Sequence, residues 1–178
     1  MRTQGLLIIR PMINTSFLTV LMAFLLATPW STMAAEVQEG KAAPPFESST
    51  LDGTKFSLPA QAGKVVMIHY WATWCASCRE EMPVFEAYYK AHQNEGLVML
   101  AVSMDEPEDL PKVKEVMKAY SFPAAMANQT KARGYGRIWR IPLTFVIDRQ
   151  GMLRKNGWFG EASLDQPSLE KTVTPLLK

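Results

Sequence analysis

The sequence predicts an α/β fold, a layered sheet with helices on both of its faces. Continuous apolar and β-branched runs, such as 65–71 and 97–104, are typical of strands that are buried on both sides. Segments in which apolar residues recur at helical spacing separate these runs. Strands and helices therefore alternate along the chain, which is the order found in α/β proteins.

The composition is that of one ordinary globular domain. Of 178 residues, 48% are hydrophobic and 20% are charged, and such a chain is long enough to bury a real core. The formal net charge is +2, but setting aside Arg2 and Arg10 of the leader leaves 17 basic and 17 acidic residues. A neutral protein does not present the basic surface that nucleic acid or an anionic membrane surface requires. We expect no nucleic-acid partner.

Residues 1–35 are predicted to be an export signal that precedes the folded domain of residues 36–178. Arg2 and Arg10 lie ahead of an apolar run over 17–27, and small residues follow it. This order is typical of a secretory signal peptide. The alternative is an uncleaved anchor helix, although polar residues and a proline interrupt the apolar stretch short of the ~20 residues that a membrane span needs. We expect an exported protein, soluble rather than anchored, that contacts the membrane only if the leader stays attached.

The first predicted elements are a linker, a hairpin and a strand. Residues 36–45 are polar and contain glycine and proline, as linkers do. Asp52 and Gly53 lie between two short extended runs within 46–58, which predicts the turn of a small hairpin. The run 65–71 follows and is predicted to be the central strand.

A helix, a strand and a second helix are predicted next. From Cys75 to about Asn94 the apolar spacing is helical, and Pro83 should kink this helix without ending it. A second buried strand is predicted over 97–104. The sequence Asp105-Glu106-Pro107 then predicts the start of another helix.

The C-terminal third is predicted to contain three strands and two helices. They are a short strand from Ala124 to Ala127, a brief helix from Gln129 to Tyr135, a strand from Ile141 to Asp148, an antiparallel strand from Met152 to Trp158 and a closing helix from Ser168 to Leu177.

Cys75 and Cys78 are the only cysteines, and they lie where the central strand gives way to a helix. This placement predicts a redox-active dithiol, with two unrelated thiols or half of a metal site as alternatives. A thiolate attacks disulfides, and the unpaired N–H groups and dipole of a helix start lower a thiol pKa. Cys75, at the first turn, is therefore predicted to be the nucleophile, and Cys78 the resolving thiol. We expect no cofactor and no resident metal.

Other residues are candidates for the same site. A proline that opens a strand, as Pro142 does after Ile141, can present a backbone edge to an extended substrate, although an ordinary trans proline is favoured by the residues alone. Glu81 could exchange protons with the dithiol or be a surface carboxylate. His69 is more often a satisfied core histidine than a proton carrier in such a strand. Trp74 is expected to pack around the site and shield one sulfur, with a plain core or rim position as the alternative.

Several separated motifs occur in a fixed order and cover essentially the whole mature chain. They are residues 40–58, 63–66, 71–83, 120–123, 134–136 and 141–151. Together they resemble the thioredoxin superfamily, and specifically the exported TlpA/ResA-like thiol-disulfide oxidoreductases.

The resemblance implies a thioredoxin fold with an N-terminal hairpin extension and a helix-and-strand insertion, which here would be Asp105 to Ala127. It implies a cis peptide bond before Pro142, against the preference from the residues alone. Glu81 matches an acidic residue that such proteins place beside their dithiol. The residues expected to contact substrate are Trp74, Ile141 and Pro142.

The function implied by the resemblance is reduction of selected protein disulfides in the periplasm, for example in cytochrome c maturation or copper-site assembly. The partners would be disulfide-bearing exported proteins and a membrane thiol-disulfide electron donor. Two features depart from the family: Ala76-Ser77 lacks the proline that many relatives have between their cysteines, and His69 stands where thioredoxins have a buried aspartate. A disulfide oxidase therefore stays open as an alternative. A copper-binding assembly factor on the same fold, with Cys75 and Cys78 as soft ligands, is a second alternative.

Overall fold

The computed structural model describes residues 37–160 and 164–178. The signal segment predicted over 1–35 lies outside the described residues. None of the helices in the described ranges combines the length and the hydropathy that crossing a membrane requires.

The strands of the described chain form one mixed sheet. In chain order they are β1 (Glu47–Thr50), β2 (Lys55–Ser57), β3 (Val65–Trp71), β4 (Leu97–Ser103), β5 (Ala124–Lys131), β6 (Leu143–Ile147) and β7 (Leu153–Lys155). Across the sheet the order is β2-β1-β5-β4-β3-β6-β7. Strands β3, β4 and β5 are parallel, and the other pairs are antiparallel. Strand β3 has neighbours on both sides and buries every residue, which explains its continuous apolar sequence.

The α-helices of the described chain are α1 (Ala76–His92), α2 (Leu110–Met117) and α3 (Gln166–Thr172). Short 3-10 turns follow α1 at 93–95, precede α2 at 107–109 and follow α3 at 174–176. Helix α1 continues past Pro83, as predicted. Gly96, whose φ of 90° favours glycine, then ends the helical segment before β4.

The expectation of helices on both faces is wrong for the described residues. Alternate residues of β3 point to opposite faces, so that Met67 and Ile68 belong to different apolar clusters. Residues of α1, α2 and α3 occur only in the cluster of Met67. The opposite cluster contains aromatic rings that lie outside the helices. The ring of Phe46 packs edge-to-face against those of Phe56 and Tyr135, with centroid distances of 5.9 and 5.7 Å.

The brief helix predicted over 129–135 is also wrong. Strand β5 continues to Lys131, and turns follow it. The cause is tertiary, because β1 pairs antiparallel with this part of β5, with Glu47 opposite Lys131 and Ser48 opposite Thr130. The hydroxyls of Ser48 and Thr130 lie 2.8 Å apart and strengthen that pairing. Local spacing could not show that a partner strand was present.

The remaining elements match the sequence with shifted ends. The predicted hairpin is confirmed as β1 and β2, and the segment expected to be an insertion, 105–127, contains α2 and the start of β5. Strand β6 begins at Leu143 rather than at Ile141. Strand β7 is shorter than expected, and the closing helix ends at Thr172 because a 3-10 turn that contains Pro175 follows.

Candidate active site

The loop between β3 and α1 is fixed by Asp105, which follows β4. One Asp105 carboxylate oxygen accepts hydrogen bonds from the Thr73 backbone N–H at 2.9 Å and the Ser103 hydroxyl at 2.7 Å, and the other accepts from the Thr73 hydroxyl. All three residues are buried. Sequence reasoning assigned Asp105 only to a helix start and so missed this role. The sequence contained one signal for this role: an acidic residue directly follows the run predicted to be the second buried strand. In the structure that strand, β4, runs parallel to β3.

Cys75 and Cys78 are joined as a disulfide, so the structure describes the oxidised protein. Cys75 is the N-cap of α1, where its Sγ accepts a hydrogen bond from the Cys78 backbone N–H at 3.3 Å and lies 3.6 Å from the Ser77 hydroxyl. Cys75 is 7% exposed, whereas Cys78 is 0% exposed. Cys78 is therefore shielded from any reaction partner unless the site rearranges, whereas Cys75 keeps a small exposed surface.

The peptide bond between Ile141 and Pro142 is cis, as the resemblance implied, and the preference for a trans proline from the residues alone was wrong. Pro142 is buried directly before β6. Ile141 packs against the apolar cluster that contains both cysteines. The structure thus places Ile141 at the edge of the core cluster to which both cysteines belong.

Trp74 lies at the rim of the site and is 67% exposed, so it does not pack into the core. Together with Ile141 it lines a groove of about 400 Å³, whose other lining residues are Met104, Ile138, Trp139 and Arg140. Two of the predicted substrate-contacting residues therefore share one groove, and one of them, Trp74, directly precedes Cys75 in the chain. An extended segment of another protein could lie in it.

Glu81 lies one helical turn after Cys78 on α1, and it is buried, so the surface-carboxylate alternative is wrong. Its Oε1 accepts a hydrogen bond from the Leu164 backbone N–H at 2.9 Å. Its Oε2 lies 3.9 Å from Nε2 of His69, which is beyond hydrogen-bond distance.

His69 is fully buried on β3, between Glu81 and the β6 side chain Thr144. Its Nδ1 lies 2.9 Å from the Thr144 hydroxyl, and its ring packs edge-on against Phe85 at 4.9 Å. Burial lowers the pKa of His69 from 6.5 to about 3, so the ring is neutral at pH 7. Within the described ranges, Nε2 makes no hydrogen bond. Nδ1 of His69 therefore has the hydrogen-bond partner expected of a core histidine, whereas Nε2 has none within the described ranges.

Comparisons with known proteins agree with this geometry. A family model described as the AhpC/TSA family matches residues 39–156. The chain belongs to that family. It is 36% identical to the thiol-disulfide oxidoreductase ResA of Bacillus cereus, over 65% of this chain and 67% of the relative. It is 32% identical to ResA of Geobacillus thermodenitrificans, over 82% of this chain and 86% of the relative.

A solved structure shows the same fold. The crystal structure of a thiol:disulfide interchange protein of the thioredoxin family from Chlorobium tepidum superposes with a TM-score of 0.65 at 28% identity, and covers 81% of this chain and 100% of that chain. The chain is therefore a thioredoxin-like thiol-disulfide oxidoreductase, similar to the ResA proteins.

Sequence reasoning also missed an aromatic rim around the groove of this oxidoreductase. Trp139 is 75% exposed and stacks on Trp158 at 5.8 Å. The Arg140 guanidinium lies 5.9 and 5.7 Å from the centres of these two rings and donates to the Gly157 and Trp158 carbonyls. These contacts fix the segment just before Ile141.

The described residues contain no group of three or more histidine, cysteine or acidic side chains that could hold a metal ion. His92, the second histidine, is the last residue of α1, about 25 Å along the helix from Cys75. Its Nδ1 lies 3.2 Å from Oε2 of Glu95, and its ring packs against the ring of Tyr88.

Proposed function

We propose that this oxidoreductase reduces selected disulfides of exported proteins through Cys75 and Cys78. The observation that carries the proposal is the position of Cys75 as N-cap of α1, with the Cys78 N–H directed at its sulfur. The same N–H, together with the positive end of the helix dipole, would stabilise a Cys75 thiolate after reduction. Cys75 is also the more exposed of the two residues.

The reaction starts from the reduced dithiol. The Cys75 thiolate attacks one sulfur of a substrate disulfide, the substrate S–S bond breaks, and the second substrate sulfur leaves as a thiolate that takes up a proton. Cys78 then loses its proton and attacks the sulfur of Cys75. The Cys75–Cys78 disulfide forms as the mixed disulfide bond between Cys75 and the substrate breaks, and the released substrate sulfur takes up a proton. The substrate therefore leaves as a dithiol, with two electrons transferred from the protein to the substrate.

We assign Glu81 as the group that exchanges the proton of Cys78. The assignment is supported by its burial and by its place one turn further along the same helix face. Trp74, Ile141 and Pro142 would bind the substrate, since Trp74 and Ile141 line the groove beside Cys75 and Pro142 follows directly. An extended substrate segment could then pair with the backbone at this edge.

The setting of the reaction is part of the same proposal. The leader predicted over 1–35 would export the protein to the periplasm. The disulfide formed in each cycle would be reduced by a membrane thiol-disulfide donor, and cytochrome c maturation or copper-site assembly would supply the substrates. The resemblance to TlpA/ResA-like proteins supports each of these assignments.

The equilibrium potential of the Cys75–Cys78 pair tests the direction of electron flow. The purified domain is equilibrated with glutathione mixtures, and the reduced fraction is read by alkylation of free thiols. A reductase should have a potential more negative than about −200 mV, because couples near −120 mV act as strong oxidants. A value at that oxidising end would contradict the reductase proposal and favour the oxidase.

A further inference from the structure

A second, larger groove continues from the one beside the dithiol. It has a volume of about 870 Å³. Met104 and Ile138 line both grooves, so a chain lying along Trp74 and Ile141 can pass into the second groove without leaving the surface. Met104 follows β4, and Ile138 lies three residues before Ile141.

The second groove is positively charged. Lys131, Arg133 and Arg137 line it and are exposed, and Glu47 is its one acidic lining residue. In the part of the chain that the structure describes, none of these three cations forms an ion pair. We call the surface lined by Lys131, Arg133 and Arg137 the cationic groove. Its charge is available to a ligand, although the mature chain as a whole is neutral.

The cationic groove also contains an unused hydrogen-bond donor. Tyr70, the residue before the end of β3, lines the groove, and within the described ranges its hydroxyl makes no hydrogen bond. Burial raises the pKa of Tyr70, so the hydroxyl keeps its proton and can donate to a carboxylate. Uncompensated cations and a neutral donor therefore face the same space.

We propose that the cationic groove binds an acidic, extended segment that flanks the disulfide of the substrate protein. The inference rests on the proposed function, because the segment would belong to a protein whose disulfide the dithiol reduces. The cationic groove is continuous with the groove that Trp74 and Ile141 line. An anionic segment would be attracted by the three cations before the sulfurs meet, which raises the association rate, and would be selected over neutral or basic segments. The cationic groove would thus decide which disulfides the dithiol reduces.

Rates of disulfide reduction test the inference. The reduced protein is mixed in a stopped-flow instrument with synthetic peptides, each closed by one internal disulfide, and the oxidation of the dithiol is followed by tryptophan fluorescence. The peptides differ in a flanking block of four glutamates, four glutamines or four lysines, placed before or after the disulfide. Hydroxyethyl disulfide, which is neutral and small, serves as the substrate that does not reach the groove.

When the charged block is on the side of the disulfide that reaches the groove, the glutamate peptide should react about tenfold faster than the glutamine peptide at low salt. The lysine peptide should react more slowly than both. The advantage should shrink at high ionic strength. The variant Arg133→Glu/Arg137→Glu should abolish the advantage and leave the hydroxyethyl disulfide rate unchanged. The matched control Lys64→Glu/Lys178→Glu makes the same change in net charge at exposed sites away from the groove. This control should keep the rate advantage of the glutamate peptide.

Equal rates for all peptides, or a loss of the advantage in both double variants, would overturn the inference and leave the proposed function intact. Failure to reduce the glutamine peptide and hydroxyethyl disulfide would instead contradict the proposed function. The two failures are therefore distinguishable in one set of measurements.

Discussion

The buried His69 predicts how the stability of the protein depends on pH. Its pKa is about 3 in the folded protein and 6.5 when unfolded, so the unfolded state binds a proton first as the pH falls. The stability that depends on a neutral His69 is therefore fully present above pH 6.5 and is lost progressively as the pH falls below that value. At 1.36 kcal/mol per pKa unit, the loss between pH 8 and pH 5 is about 2 kcal/mol, and it keeps growing towards pH 3.

The measurement compares the wild type with His69→Asn, which cannot titrate and keeps an amide within reach of the Thr144 hydroxyl. Urea unfolding of the oxidised proteins at pH 8 and pH 5 gives the two free energies of unfolding. The wild type should lose about 2 kcal/mol more than the variant over this range. The control His92→Gln, at the other histidine, should behave like the wild type.

The opposite outcome has a definite meaning. If the wild type and His69→Asn lose the same stability between pH 8 and pH 5, His69 accepts a proton without unfolding. The Glu81 carboxylate, 3.9 Å from Nε2, would then act as its counter-ion. That result would refute the conclusion that burial keeps His69 neutral.

Two further predictions concern the support of the site. Asp105→Ala removes the acceptor of three buried hydrogen bonds and should lower the free energy of unfolding by about 3–5 kcal/mol in urea titrations. Gly157→Ala places a methyl carbon 2.7 Å from the Thr144 carbonyl oxygen and 2.9 Å from a Leu143 methyl, and should cost about 1–3 kcal/mol by overpacking in the same assay.

Each of these variants has a matched control. Asp52→Ala also removes an aspartate that accepts hydrogen bonds in a loop, but this side chain is exposed, so the loss should be much smaller than for Asp105→Ala. Gly63 has open space around it and a φ of 82°, which asparagine tolerates, so Gly63→Asn should cost less than Gly157→Ala. Equal losses within either pair would show that the described contacts are not what stabilises these sites.

The sequence was sufficient for the part of the fold that local pattern determines. The apolar run of β3, the helix that starts after Cys75 and the turn at Asp52-Gly53 all depend on residues that are close in the chain. The spacing of Cys75 and Cys78 indicated the redox chemistry for the same reason. The predicted elements agree with the structure, and the redox prediction agrees with the relatives named thiol-disulfide oxidoreductases.

The sequence was insufficient where distant segments decide the outcome. Residues 129–131 form a strand because β1 pairs with this part of β5. On the second face of the sheet, aromatic rings take the place of an α-helix among the described residues. The role of Asp105 depends on the parallel neighbours β3 and β4, which end at the same edge of the sheet. The cationic groove combines Tyr70 of β3 with cations that lie about sixty residues later along the chain.

The central claim is that Cys75 attacks the substrate and Cys78 resolves the intermediate, and a trapping experiment tests it most directly. Cys78→Ala and Cys75→Ala are expressed with the intact leader, and mixed disulfides with other proteins are counted on non-reducing gels, with the double variant as background. Cys78→Ala should accumulate complexes that a reductant releases, whereas Cys75→Ala should stay near background. Accumulation by Cys75→Ala to the same extent, or by neither single variant, would contradict the mechanism.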